Sequence, residues 1–166
     1  LRAALDAAGE GRHYTLTAAV ADGAAAEGID IAAVEPYLDW FNLMTYDFVN
    51  SATPTTGHHA GLHASGLAPP DARSVERAVG EYLAAGVPSR KLVIGAAFYG
   101  REFGEVTSEH DGLYQRYGSY VTEHSWPRIK SDYLDRNGFV RHHDPQAQAS
   151  WLWNAGTRRF ITYDDP

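Results

Sequence analysis

The sequence predicts an α/β fold: a parallel sheet with helices outside it, followed by a small α+β module. Three observations predict it. Segments 14–21, 40–48 and 91–99 are short and almost continuously apolar, as strands covered on both faces are. A helical pattern precedes each of them, giving the order helix, strand, helix, strand, helix, strand. After Arg101 the texture changes to one rich in Tyr, His, Asp and Gly.

Residues 1–8 (LRAALDAA) place Leu1, Ala4, Leu5 and Ala8 at helical spacing, with Gly9 and Gly11 as stop signals. YTLTAAVA at 14–21 is the first strand, and Asp22-Gly23 opens a loop. Asp30 is a candidate N-cap for a short helix through Leu38, with Ile31, Val34 and Leu38 on one side. WFNLMTYDF at 40–48 is the second strand. The loop from Val49 to Pro70 is long for a compact domain, and loops of that length usually carry function. Ser74 or Asp71 caps a helix from about Val75 to Ala85, ended by Gly86 and Pro88, and KLVIGAAFY at 91–99 is the third strand. Beyond it, a short helix is predicted near 126–134 and strands at 138–141, 149–153 and 160–163.

Composition bounds the function. The 166 residues suit one domain, or one with a substantial insertion, and 44% apolar content allows a core. With 14 Lys and Arg against 21 Asp and Glu, a net charge of −7 argues against nucleic acid as a partner. No window approaches the roughly 18 apolar residues of a membrane span, so no membrane partner is expected. Zero Cys excludes a disulfide framework, a thiolate nucleophile and a Cys-ligated metal. The chain opens inside a helix at Leu1 and stops at Pro166 straight after an apolar run, and so reads as a piece of a longer one.

Parallel α/β folds bind ligands beyond the carboxyl ends of their strands. The second strand ends in Met44, Thr45, Tyr46 and Asp47, and the third in Phe98, Tyr99, Gly100 and Arg101. Alternation puts Val93, Gly95, Ala97, Tyr99 and Arg101 on one face, a pocket floor with donors at its rim. Leu92, Ile94, Ala96 and Phe98 on the other face suit a helix layer. Asp47 would point away from Tyr46 in a straight strand. A bend is the better reading, because an unpaired carboxylate facing an apolar layer is costly.

WFNLMTYDF, followed by TGHHAGLHAS and VPSRKLVIGAAFYGREF, resembles the sixth and seventh strand segments of the glycoside hydrolase family 18 chitinases. NGFVRHHDPQAQASWLWN and RFITYDDP resemble the end of the α+β insertion that many of these enzymes carry. The motifs stand in register from about residue 14 to 166. The resemblance implies a partial (β/α)8 TIM barrel, strands five to seven, over residues 1–101, with the insertion domain over 102–166. It implies hydrolysis of β-1,4-linked N-acetylglucosamine with retention, the substrate's own acetamido carbonyl attacking the anomeric carbon while an acid Glu protonates the glycosidic oxygen. Tyr46 would hold that carbonyl and Asp47 would bond the sugar at the cleavage site. Met44 would line the floor, and Tyr99 and Arg101 would contact the sugar chain. No metal or organic cofactor is implied. The partner is chitin or chito-oligosaccharide, and the full-length parent is a secreted monomer.

One departure stands out. The family's fourth-strand motif, two Asp at alternate positions leading to the acid Glu, is not in this sequence. GIDIAAVE at 28–35 begins like it but lacks the second Asp, so Glu35 reads as an ordinary surface residue. The acid is therefore expected outside the segment, which alone should be inactive. A chitinase-like lectin lacking the acid, or a family hydrolase of another N-acetylglucosamine polymer, fits these residues too. His58, His59 and His63, like His142, His143 and Asp144, lack the pattern of a metal site. Of Trp126, Trp151 and Trp153, two are expected in a core. Asp164 and Asp165 read as turn or helix-start residues.

Overall fold

The computed structural model describes residues 1–164. They form two compact units, residues 1–45 with 77–95, and residues 46–76 with those from Ala96 onward.

The first unit is built on a parallel sheet in the order β1 (Thr17–Val20), β2 (Trp40–Leu43), β3 (Leu92–Ile94). All three expected strands are present and parallel, at three or four residues each. Helix α1 (Arg2–Gly9) ends where Glu10 turns left-handed at φ 47°. Helix α2 (Ile31–Val34) is capped by Asp30, whose Oδ1 accepts the Ala33 N–H at 3.0 Å. It tightens into a 3₁₀ turn over Glu35–Tyr37, where Pro36 has no N–H to continue an α-helix. Glu35 is half-buried and paired with Lys91 at 2.7 Å. Helix α3 (Val75–Ala84) ends before Gly86, at φ 93°. Within this unit it covers the sheet through Tyr82, in a core with Val20, Phe41, Leu43 and Val87. The Tyr82 hydroxyl donates to Ala21 O at 2.7 Å.

Among the described residues the expected helix layer over Leu92, Ile94, Ala96 and Phe98 is not found: Ile94 is 54% and Phe98 67% exposed. This strand is an edge of its sheet, and its opposite face is open too, with Val93 45% exposed. The parallel ladder closes with Gly95 N–H to Leu43 O at 2.9 Å, and 91–99 does not continue as one straight strand.

The second unit is a five-stranded antiparallel sheet in the order β5-β4-β8-β7-β6. Its strands are β4 (Tyr99–Gly104), β5 (Ser119–Ser125), β6 (Val140–Asp144), β7 (Ala149–Asn154) and β8 (Arg159–Tyr163). Two corrections follow. Tyr99 and Arg101, read as the end of the third parallel strand, belong to β4, because pairing switches to antiparallel at Tyr99↔Ser125 and Gly100↔Tyr163. The division expected after Arg101 therefore falls inside a strand. Strand β5 had not been anticipated, since its exposed Thr122 and Glu123 obscure an alternating pattern.

Alternation sorts the sheet into two faces. Phe103, Phe160, Trp151 and Trp153 lie on one, in a core with Val49, Val106 and Leu113. Leu152, Ile161 and Tyr163 lie on the other, packed with Ile129 and Phe139. The predicted helix is a short turn, α4 (Trp126–Arg128), running into a π turn over Ile129–Tyr133. Trp151 and Trp153 are buried, while Trp126 is half-buried and stacks on Tyr163. Asp164 follows β8, and Asp165 lies outside the described residues.

Candidate active site

The candidate site is assembled within the second unit, by a loop and one strand. At Asp47 the backbone is left-handed, with φ 63°. Asp and Asn are the non-glycine residues that visit this region most readily, because their short side chains bond locally. Here the Asn50 amide donates to Asp47 O at 3.1 Å and secures the turn. This is the expected bend, and it lets Asp47 leave the strand direction.

Strand β4 presents Tyr99 and Arg101 two residues apart on one face. Both reach the same carboxylate oxygen. The Tyr99 hydroxyl donates to Asp47 Oδ1 at 2.6 Å and Arg101 Nε at 2.7 Å. Arg101 Nη1 also donates to the Tyr120 hydroxyl at 2.9 Å and pairs with Glu123 at 2.8 Å, both on β5. The Tyr46 ring meets Tyr99 edge to face at 6.3 Å.

Burial works to raise the Asp47 carboxyl, but the Arg101 guanidinium and the Tyr99 hydroxyl that bond it outweigh it. They hold it well below the usual carboxylate range, so Asp47 is an anion at any pH near neutral. Burial and the Asp47 charge push the Tyr99 phenol up, which keeps it a donor. The hydrogen bond to Asp47 holds Arg101 above its ordinary value, against burial.

Four of the five predicted site residues, Tyr46, Asp47, Tyr99 and Arg101, thus share one unit. Met44 belongs to the other, where its amide donates to Val20 O at 2.9 Å beyond the end of β2. Sequence reasoning missed Tyr120 and Glu123, and the place of His59. The signal for the first two was the Tyr-Val-Thr run of β5.

The histidines have separate partners. His58 is buried, with Nε2 3.4 Å from Asp144 Oδ2 and its ring against Trp151. Burial depresses its pKa, and Asp144 opposes the shift. His63 bonds Glu76 at 3.0 Å on the surface, and His142 stacks on Trp151. Among the described residues no cluster of His, Cys, Asp or Glu is arranged to hold a metal. The 49–70 loop also walls a cavity of about 300 Å³ lined by Phe48, Val49, Pro54, His58, Pro69 and Tyr114 among others.

The family model for glycosyl hydrolases family 18 matches residues 1–166. The chain belongs to glycosyl hydrolases family 18. Chitinase A1 of Niallia circulans is 35% identical over 183 residues, an alignment covering 99% of this chain and 26% of that protein. A family 18 N-acetylglucosaminidase from Paenibacillus barengoltzii superposes with a TM-score of 0.91 at 40% identity, covering 99% of this chain and 49% of that one. A mutant class V chitinase from Nicotiana tobaccum in complex with NAG4 has a TM-score of 0.85 at 27% identity, with 99% and 49% covered. The chain thus spans about a quarter of the curated relative and about half of the two solved chains.

Proposed function

We propose that the chain is part of the catalytic domain of a chitinase that hydrolyses β-1,4-N-acetylglucosamine linkages by substrate-assisted retention. The observation that carries this reading is the ionised Asp47, fixed by Tyr99 and Arg101 in the same unit as Tyr46, in a family 18 chain. Such a group suits a reaction whose nucleophile belongs to the substrate. The protein has to hold an acetamido carbonyl against the anomeric carbon, and orientation of that kind contributes several kcal/mol to lowering a barrier. In this reading the Tyr46 hydroxyl donates to the carbonyl oxygen or close to it and Asp47 bonds the sugar at the cleavage site. Tyr99 and Arg101 contact the sugar chain.

The parallel strands β1, β2 and β3 would be the fifth, sixth and seventh strands of a (β/α)8 barrel, and the antiparallel sheet its α+β insertion. The acid Glu would lie outside these residues. The whole protein would act on chitin or chito-oligosaccharides outside the cell as a monomer, without a metal or organic cofactor. The fold neighbour held with NAG4 supports that substrate class.

The test is kinetic, on the full chain with a chromogenic chitobioside. Tyr46→Phe should lower kcat about 100-fold while affinity for an uncleaved oligosaccharide changes little. Equal losses in both would reduce Tyr46 to a binding residue. A full chain that binds chito-oligosaccharide without ever cleaving it would be a lectin. Turnover by the 166 residues alone would place the acid among them.

A further inference from the structure

We propose that His59 is a positioning residue for Asp47, acting through the N–H at Nδ1; the inference rests on the reading of Asp47 given above. His59 is fully buried, and its backbone is tied at both ends. Its N–H donates to Thr162 Oγ1 at 3.0 Å, and its carbonyl accepts the Phe48 N–H at 3.0 Å. The second bond closes the loop back onto the residue after Asp47. The ring lies 5.3 Å from the Tyr99 ring, and Nδ1 stands 3.8 Å from Asp47 Oδ1.

Among the described residues neither ring nitrogen has a hydrogen-bond partner. Buried polar atoms without partners are rare in folded proteins and call for an explanation. Among the described residues the carboxylate paired with Nδ1 is Asp47, and an approach of roughly 0.6 to 1 Å brings the two to hydrogen-bond length. In this geometry Asp47 Oδ1 is held by Tyr99 and Arg101. When a sugar hydroxyl or acetamido group draws the carboxylate, His59 takes up Oδ1 and keeps Asp47 from swinging free. With its backbone bonded on both sides, His59 acts as a stop at a set place.

The experiment compares His59→Asn with His59→Gln in the full chain. An Asn amide nitrogen falls near the place of Nδ1, and a Gln amide falls near Nε2. His59→Asn should keep kcat within roughly threefold of the parent, and His59→Gln should lower it about 10-fold or more, with KM nearly constant in both. Asn is the smaller residue and leaves a cavity, so its melting temperature should be the lower of the two. A kcat order opposite to the stability order marks positioning. Equal kcat values, or a kcat order that follows melting temperature, would overturn the proposal. Asp47→Asn is run alongside. Should it retain full activity, the reading of the site falls and this inference with it; should it lose activity while both His59 variants match the parent, only the inference falls.

Discussion

The two units use their strands in opposite ways. In the first, three parallel strands of three or four residues bury Val20, Phe41 and Leu43, and the outer strand leaves Val93 45% and Ile94 54% exposed. In the second, β4 is bonded on both sides over four to six residues and carries Glu102 almost wholly out of solvent. Glu102 Oε2 is 2.6 Å from His124 Nε2, and Oε1 accepts from Arg159 at 2.7 Å. Polar side chains are thus built into the second sheet on both faces, Glu102 and His124 on one, Tyr99 and Arg101 on the other. A ladder that fixes its strand from two sides holds charged groups in register more firmly than the edge of a short parallel sheet.

This contrast can be broken or sharpened by mutation in the full chain. The largest effect on stability is expected at Glu102. Glu102→Leu leaves His124 and Arg159 without their acceptor and should cost about 3 kcal/mol or more in urea unfolding. A loss below about 1 kcal/mol would mean that the buried charges contribute little to the second unit.

Two glycines give a smaller, opposite-signed pair. A Cβ at Gly100 would stand 2.5 Å from Thr162 O and 2.8 Å from Ile129 Cδ1, so Gly100→Ala should cost about 1–3 kcal/mol through overpacking. Gly80, in α3, has nothing within 4 Å of that position, and Gly80→Ala should raise stability by about 0.5–1 kcal/mol. Equal signs at the two positions would break the comparison.

The smallest effect concerns pH. Burial lowers the His58 pKa from its ordinary 6.5, with Asp144 opposing. Below that value the unfolded chain binds the proton that the folded chain resists. The His58 contribution to stability is therefore complete above about pH 6.5 and declines as pH falls toward the depressed folded value. His58→Gln keeps a donor for Asp144 and does not titrate. Its melting temperature should fall less than the parent's between pH 7 and 5.

Much of this was legible in the residues, and unevenly so. The parallel strands announce themselves through YTLTAAVA, WFNLMTYDF and KLVIGAAFY, and the Asp30 cap through its place before Ile31. Tyr46, Asp47, Tyr99 and Arg101 stand where the apolar runs of the second and third segments give out, and a ligand site is sought there first. The point where KLVIGAAFYG passes from one sheet to another was not legible, because apolar periodicity is the same on either side of a change in pairing partner. His59 was hidden for a different reason. It sits in a polar-looking loop, and the residues that bury and bond it, Tyr99 and Thr162, lie far along the chain, the latter 103 residues further on.

The left-handed turn at Asp47 also has a meaning for how this chain can vary. A residue there passes two filters, one for the backbone conformation and one for the charge that Arg101 and Tyr99 address. Gly and Asn satisfy the first and fail the second, while Glu carries the charge but is ill suited to the conformation. Neutral drift at position 47 has few directions open to it. Among homologous chains, a change there to Asn would keep the loop's path while removing the anion that Tyr99 and Arg101 hold.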